Sequence, residues 1–215
     1  MKIDFVSDVS CPWCVIGLLA LEQALVEVAA EGIQPTVQFQ PFELNPQMGP
    51  EGQEIVEHLM QKYGIDAAQV AANTEAIRRR GAELGFTFGA GQTRRIYNTF
   101  DTHRLLHWAG LQSAEAQRAL KYRLFEAYFT QGLNPSDTAL LQRMAAEVGL
   151  DGAEAAAVLA SDRYATEVRQ AESRVQRNGI HSVPAVIIDD QYLVSGGQPA
   201  EVFAQALRQV AARQG

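Results

Sequence analysis

Cys11 and Cys14 are the only cysteines in the chain, and they enclose Pro12 and Trp13 in the stretch SCPWCVIG. A disulfide between them would close a ring of residues 11 to 14, whereas the loop-entropy term rewards long loops. It is a poor structural staple. A zinc site calls for about four ligands, and there is no second cysteine pair to complete one. Two readings remain: reversible thiol–disulfide exchange, or a pair of inert buried thiols.

The surrounding elements favour the first. Lys2 to Val6 alternates, with Ile3 and Phe5 on one side, and reads as a short strand. Pro12 to Ala30 follows as a helix. Pro12 suits its first turn, where the missing N–H costs nothing, and Gly32 suits its end. Val15, Ile16, Leu18, Leu19, Leu25 and Val26 bury most of that helix, and Glu22, Gln23, Glu27 and Glu31 give it one wet stripe. Unpaired N–H groups and the helix dipole favour an anion at a helix N-terminus. Cys11 is therefore expected to attack, and Cys14, one turn further in, to be the shielded resolving thiol. A CxxC in a βαβ setting reads as redox-active.

Thr36 to Phe42 alternates again and reads as a second strand. From about Asn45 to Asn178 no segment reads as a convincing strand. Three stripes there have helical spacing: Ile55 to Tyr63, Leu120 to Phe129 and Leu140 to Val148. Asp66 with Gln69, and Asp151 with Glu154, read as capping-box starts. Strands return at Ala185–Ile188 and Tyr192–Ser195, joined by a turn at Asp189-Asp190-Gln191. Gln198-Pro199 then opens a last helix through Val210. The order is βαβ, a helical block, then ββα. The expected fold class is α/β, a small mixed sheet with helices on its faces and a large all-helical insertion. Residues 1–44 and 179–215 form the sheet domain, and 45–178 the insertion.

Composition narrows the partners. The formal net charge of -7 opposes the basic surface that phosphate binding needs, so nucleic acid is not expected. Arg78-Arg79-Arg80 reads as a solvated helix face. No apolar stretch is expected to reach the roughly 18 residues of a membrane span. The start MKIDFVSD lacks the apolar run of a secretory signal, and a cytoplasmic, reducing location is the expectation. Either a monomer or a homodimer is compatible with the sequence. His103 and His107, four apart on a helix, lack the HExxH arrangement and a third ligand. They read as half-buried imidazoles, and no metal is expected. His58 falls on a polar helix face.

CPWC after a first strand, a helical insertion, and SVPAVII before a terminal hairpin and helix resemble the thioredoxin-fold DsbA superfamily. The segments FVSDVSCPWCVIG, NTFDTHRLLHWA and VSGGQPAEVF are similar to its FrnE-like cytoplasmic branch of dithiol–disulfide oxidoreductases and isomerases. The resemblance spans essentially the whole chain. It implies a thioredoxin-like fold and a redox-active Cys11–Cys14 disulfide with no other cofactor required. It also implies a cis peptide between Val183 and Pro184, although only about 5–6% of X–Pro bonds in folded proteins are cis. The backbone of Val183 would then hold a substrate chain in strand-like pairing. Pro12, Trp13 and Gln198 join Val183 and Pro184 as expected substrate contacts, and His103 is expected to tune Cys11 or touch substrate. His181 lies in the proline loop. Where the periplasmic oxidase of that superfamily has histidine, this chain has Trp13, which adds no positive charge beside a thiolate. A milder oxidant is expected, acting on disulfide- or thiol-bearing proteins or small molecules, with glutathione as a fitting co-substrate.

Two rival readings stand beside this one. Kappa-class glutathione transferases and hydroxychromene-carboxylate isomerases share the inserted-helix architecture, but typically put serine at the position of Cys11. A redox-sensing adaptor would bind a partner through the helical block and show no turnover.

Overall fold

The computed structural model describes residues 1–89 and 95–214. Strands β1 (Lys2–Ser7), β2 (Thr36–Pro41), β5 (Ala185–Ile188) and β6 (Tyr192–Ser195) form one sheet in the order β2-β1-β5-β6. β1 and β2 are parallel, with Phe5 opposite Phe39; β5 runs antiparallel to both β1 and β6. The parallel pair needs a crossover, and α1 (Pro12–Ala29) is that crossover. The fold is the expected thioredoxin-like α/β arrangement, βαβ followed by ββα.

Both faces of β1 are covered. Ile3 and Phe5 face a core shared with α1 and with Phe203 and Leu207 of α9 (Ala200–Gln214). Val6 packs instead with Val175, Ile180 and Ala185. The three-residue connection Asp189-Asp190-Gln191 carries positive φ at both Asp189 and Asp190, and Gln191 N–H closes the tight turn by donating to Ile188 O at 3.1 Å.

Between β2 and β5 lie α2 (Ile55–Tyr63), α3 (Ala67–Glu83), α4 (Phe100–Gln112), α5 (Ala114–Phe125), α6 (Thr138–Glu147), α7 (Gly152–Leu159) and α8 (Ala165–Arg177). Asp66 and Gln69 close the full reciprocal capping box expected of them. Asp151 caps its helix through Ala153 and Glu154 N–H, without the return bond from Glu154. The stripe from Leu120 to Phe129 is not one uniform helix: α5 gives way to a π-helical turn at Glu126–Thr130. One hydrophobic cluster runs from Ile3 through α1 to Leu105, Leu124 and Met144, so the helical block packs directly on the sheet's α1 face.

Two expectations need correction. β3 (Gln53–Glu54) and β4 (Arg95–Ile96) pair antiparallel inside the region read as strand-free. Two residues are too few to show an alternation. The second concerns α1, which has 18 residues at a mean hydropathy of 1.5 and so does reach spanning length. Half of it is buried within the fold, packed against α9 and α3, which accounts for its composition without a bilayer.

Candidate active site

β1 runs into a short loop that hands the chain to α1, and the loop is fixed from below by Asp8. That carboxylate is wholly buried and accepts from Leu44 N–H at 2.7 Å and Ser10 N–H at 3.2 Å. Burial pushes its carboxyl up, but bonding to His103, the imidazole's charge and the two backbone N–H groups together hold it below the usual carboxylate value. Asp8 O in turn accepts Cys11 N–H at 3.2 Å.

Cys11 is the N-cap of α1, in extended backbone, and makes no side-chain capping bond. Pro12 occupies the first helical turn, which holds no acidic residue to oppose an anion. Cys14 N–H donates to Cys11 O at 3.0 Å, setting the second sulfur one turn inward. Both cysteines are free thiols. Cys11 is 4% exposed and Cys14 fully buried. Burial pushes the Cys14 thiol well up, its hydrogen bond and charge interaction with Cys11 push it further, and the Lys121 charge opposes them.

The proline loop closes the other side. The Val183–Pro184 peptide is cis, and Cys11 Sγ lies 3.6 Å from Val183 O in a thiol-to-carbonyl hydrogen bond. Gly196 N–H donates to Pro184 O at 2.8 Å, tying the loop to the end of β6. Gly17 of α1 makes the close approach feasible: a Cβ there would stand 2.9 Å from Pro184 Cγ. Gly197 plays the same part against Trp13, where a Cβ would meet the Trp13 carbonyl at 3.1 Å.

The residues singled out in the sequence take up different places around the thiols. Cys11, Cys14, Val183 and Pro184 come together, with Pro12 half-buried beside them and Trp13 exposed by 42% on the rim. Gln198 is next to Gly197, but its amide turns back to Ser195 O at 2.8 Å. His103 lies underneath: it is 3% exposed, bonded through Nε2 to Phe42 O at 3.1 Å and 3.7 Å from Asp8 Oδ1. It therefore positions the loop from within and does not reach the surface. His107 turns elsewhere, its ring 5.3 Å from that of Tyr164. His58, expected on a wet face, is half-buried and bonded to Gln53 Oε1 at 2.7 Å. His181 is exposed.

Several residues near the thiols escaped the sequence reading. Lys62 Nζ, at the end of α2, donates to Leu44 O and Asn45 Oδ1, both at 2.8 Å. Burial pulls its ammonium down and the Asp8 and Cys11 charges push it back up. Tyr63, exposed by 58%, is pushed up by partial desolvation and then by Cys11. Lys121 of α5 is buried at 1% exposure. A signal existed for it: at 100° per residue, Gln117 and Lys121 both fall inside the arc bounded by Leu120 and Phe125.

A thioredoxin-like sheet that presents a free dithiol at a helix N-terminus opposite a cis-proline loop defines a class of thiol proteins. The chain belongs to the DSBA-like thioredoxin domain family, whose match covers residues 2–208. A probable DsbA oxidoreductase from Streptomyces coelicolor is 34% identical and superposes with a TM-score of 0.91, over 99% of this chain and 90% of that one. The uncharacterized protein YwbO of Bacillus subtilis (strain 168) is 29% identical over 96% of each chain. The cytosolic disulfide reductase DsbM from Pseudomonas aeruginosa, solved with GSH, shares the fold at 18% identity and a TM-score of 0.68, over 98% of this chain and all of that one.

Proposed function

We propose that this family member is a dithiol–disulfide oxidoreductase that exchanges disulfides through Cys11 and Cys14, working as a reductase or isomerase. The observation that carries the reading is the pairing of a helix-capping Cys11, bonded to Val183 O, with a wholly buried Cys14. Cys11 thiolate attacks one sulfur of a substrate disulfide, forming a mixed disulfide and releasing the other sulfur as a thiolate. Cys14 thiolate then attacks Cys11 Sγ, closing the Cys11–Cys14 disulfide and releasing the second substrate sulfur. The substrate gains two electrons and the protein loses two. Two glutathione molecules return them by the same exchange and leave as glutathione disulfide.

Val183 and Pro184 form the wall along which an extended substrate segment pairs, and Pro12 and Trp13 supply the apolar rim. Gln198 lies at the rim's edge, where a modest turn of its amide would free it for substrate. A glutathione-recycled reductase belongs in a reducing compartment, and the cytosolic reductase that shares the fold supports a cytoplasmic role. The transferase reading loses support from Cys14, a resolving thiol it does not need.

The test is a comparison of activities on the purified protein. Reduction of insulin disulfides, or reactivation of a scrambled disulfide protein, is expected with glutathione present. Conjugation of glutathione to a standard aromatic electrophile is not expected. The opposite pattern hands the assignment to the transferase reading.

A further inference from the structure

Resolution of the mixed disulfide needs a thiolate at Cys14, and the site that holds Cys14 resists one. The sulfur is wholly buried, and a buried thiol is hard to ionise unless a positive charge arrives or its proton has somewhere to go. The loop beneath offers only a carboxylate already engaged: Asp8 serves Ser10, Leu44 and His103.

The helical insertion supplies what is missing. Lys121 enters from α5 with its whole side chain buried, its Nζ 5.1 Å from the centroid of the Phe125 ring. α5 is joined to α1 by Arg118 Nε donating to Glu22 Oε1 at 2.5 Å, and Phe125 shares one hydrophobic cluster with Cys14 and Leu18. Among the charges acting on the Lys121 ammonium there, that of Cys14 is felt most strongly, then Asp8, then Cys11. The other charged or titratable groups of this cluster are His103 of α4 behind Asp8, Lys62 of α2, which feels both Asp8 and Cys11, and Tyr128, which feels Asp8. A buried ammonium is costly unless paired, and Cys14 is the group it interacts with most.

We propose that Lys121 is the charge partner and proton acceptor of Cys14 in the resolving step, a role that rests on the oxidoreductase reading above. Thiol and ammonium together lose one proton to give either thiol plus neutral amine or thiolate plus ammonium. These two forms carry the same charge and interconvert by moving the proton from Cys14 Sγ to Lys121 Nζ. The thiolate form attacks Cys11 Sγ, the substrate sulfur leaves as a thiolate and takes a proton from water, and Lys121 afterwards returns its proton to solvent. Burial, opposed by the charges of Cys14, Asp8 and Cys11, pulls Lys121 down to about 8. At neutral pH the pair therefore stands close to losing its first proton.

The experiment loads Cys11 with a chromogenic aromatic thiol and follows its release by stopped flow from pH 6 to 10. In the wild type, release should rise with pH and level off near pH 8. In Lys121→Met, Cys14 must ionise without compensation, so release at pH 7 should fall by about tenfold or more and still be rising past pH 9. A wild type that never closes the Cys11–Cys14 disulfide sinks the oxidoreductase reading itself. An unchanged rate and profile in Lys121→Met overturns only the role of Lys121.

A second measurement needs no variant that might unfold. The chain has three lysines, Lys2, Lys62 and Lys121, so carbon-13 lysine labelling gives three side-chain signals. Oxidation removes the Cys14 charge that raises Lys121, so its inflection should lie lower in the oxidised protein than in the reduced one. Equal inflections in the two forms overturn the proposal.

Discussion

Cys11 Sγ and Val183 O meet at 3.6 Å although 172 residues separate them in the chain. The thiol at the start of α1 and the carbonyl before Pro184 thus share one wall of the site. In the proposed function, a substrate segment pairing along Val183 would be delivered to Cys11, with the buried Cys14 behind it. This arrangement predicts what each sulfur does when its partner is removed. In Cys14→Ser, Cys11 still attacks but nothing resolves the product, and mixed disulfides should accumulate that dithiothreitol dissolves. Cys11→Ser should trap far less. A non-reducing gel of the two variants checks this, and the reverse pattern exchanges the two roles.

Alkylation gives a second measure of the same division. The Cys14 thiol is fully buried and pushed well up, first by burial and then by Cys11. The thiolate is the nucleophile, so iodoacetamide at pH 7 should modify Cys11 at least about tenfold faster than Cys14. Mass spectrometry of partially labelled protein reads the ratio directly. Equal labelling would remove the basis for calling Cys14 shielded.

Gly17→Ala sets two effects against each other. Replacing a helix-interior glycine gains about 1 kcal/mol. The new Cβ would sit 2.9 Å from Pro184 Cγ and 3.4 Å from Gly197 Cα, and a proline ring cannot swing aside. Overpacking of this kind costs about 1–3 kcal/mol, so a net loss of up to about 2 kcal/mol is expected in urea unfolding. The proline loop should also move off Cys11 and slow insulin reduction. Full stability with unchanged turnover would mean that the loop yields freely.

The sheet, α1 and the terminal hairpin were legible because each carries a local signature. These are the alternation in β1 and β2, Pro12 at a helix start, and Asp189-Asp190 at a tight turn. β3 and β4 were not legible, since a two-residue strand has no period. The thiols stood out from their own spacing, whereas the proline loop and His103 were marked only through the family resemblance. Asp8 and Lys121 were not legible, because they come from separate segments and polar side chains default to solvent in a pattern reading, although Lys121 falls inside an apolar arc of its helix. The segment NTFDTHRLLHWA shows the difference. Asn98 binds Glu43 and Pro46 O, Thr102 donates to Pro135 O, and Arg104 donates to the carbonyls of Val158, Ser161 and Arg163. Most of that motif pins the insertion in place, and only His103 reaches the loop under Cys11.

Asp8 carries the last prediction. Its folded carboxyl is held below the unfolded value of about 3.9, so it contributes stability that is fully present above that pH. The contribution is lost as pH falls through the folded value. Asp8→Asn keeps the shape but removes the charge that Leu44 N–H, Ser10 N–H and His103 face. Breaking a buried charged network by removing one partner costs about 3–5 kcal/mol, with the isosteric amide near the lower end. Urea unfolding at pH 7 should therefore show Asp8→Asn clearly less stable than wild type. The gap should narrow below about pH 4, because the wild type then protonates Asp8 and gives up the same interactions. A gap that stays constant from pH 7 down to pH 3 would mean that Asp8 stabilises the loop by shape alone.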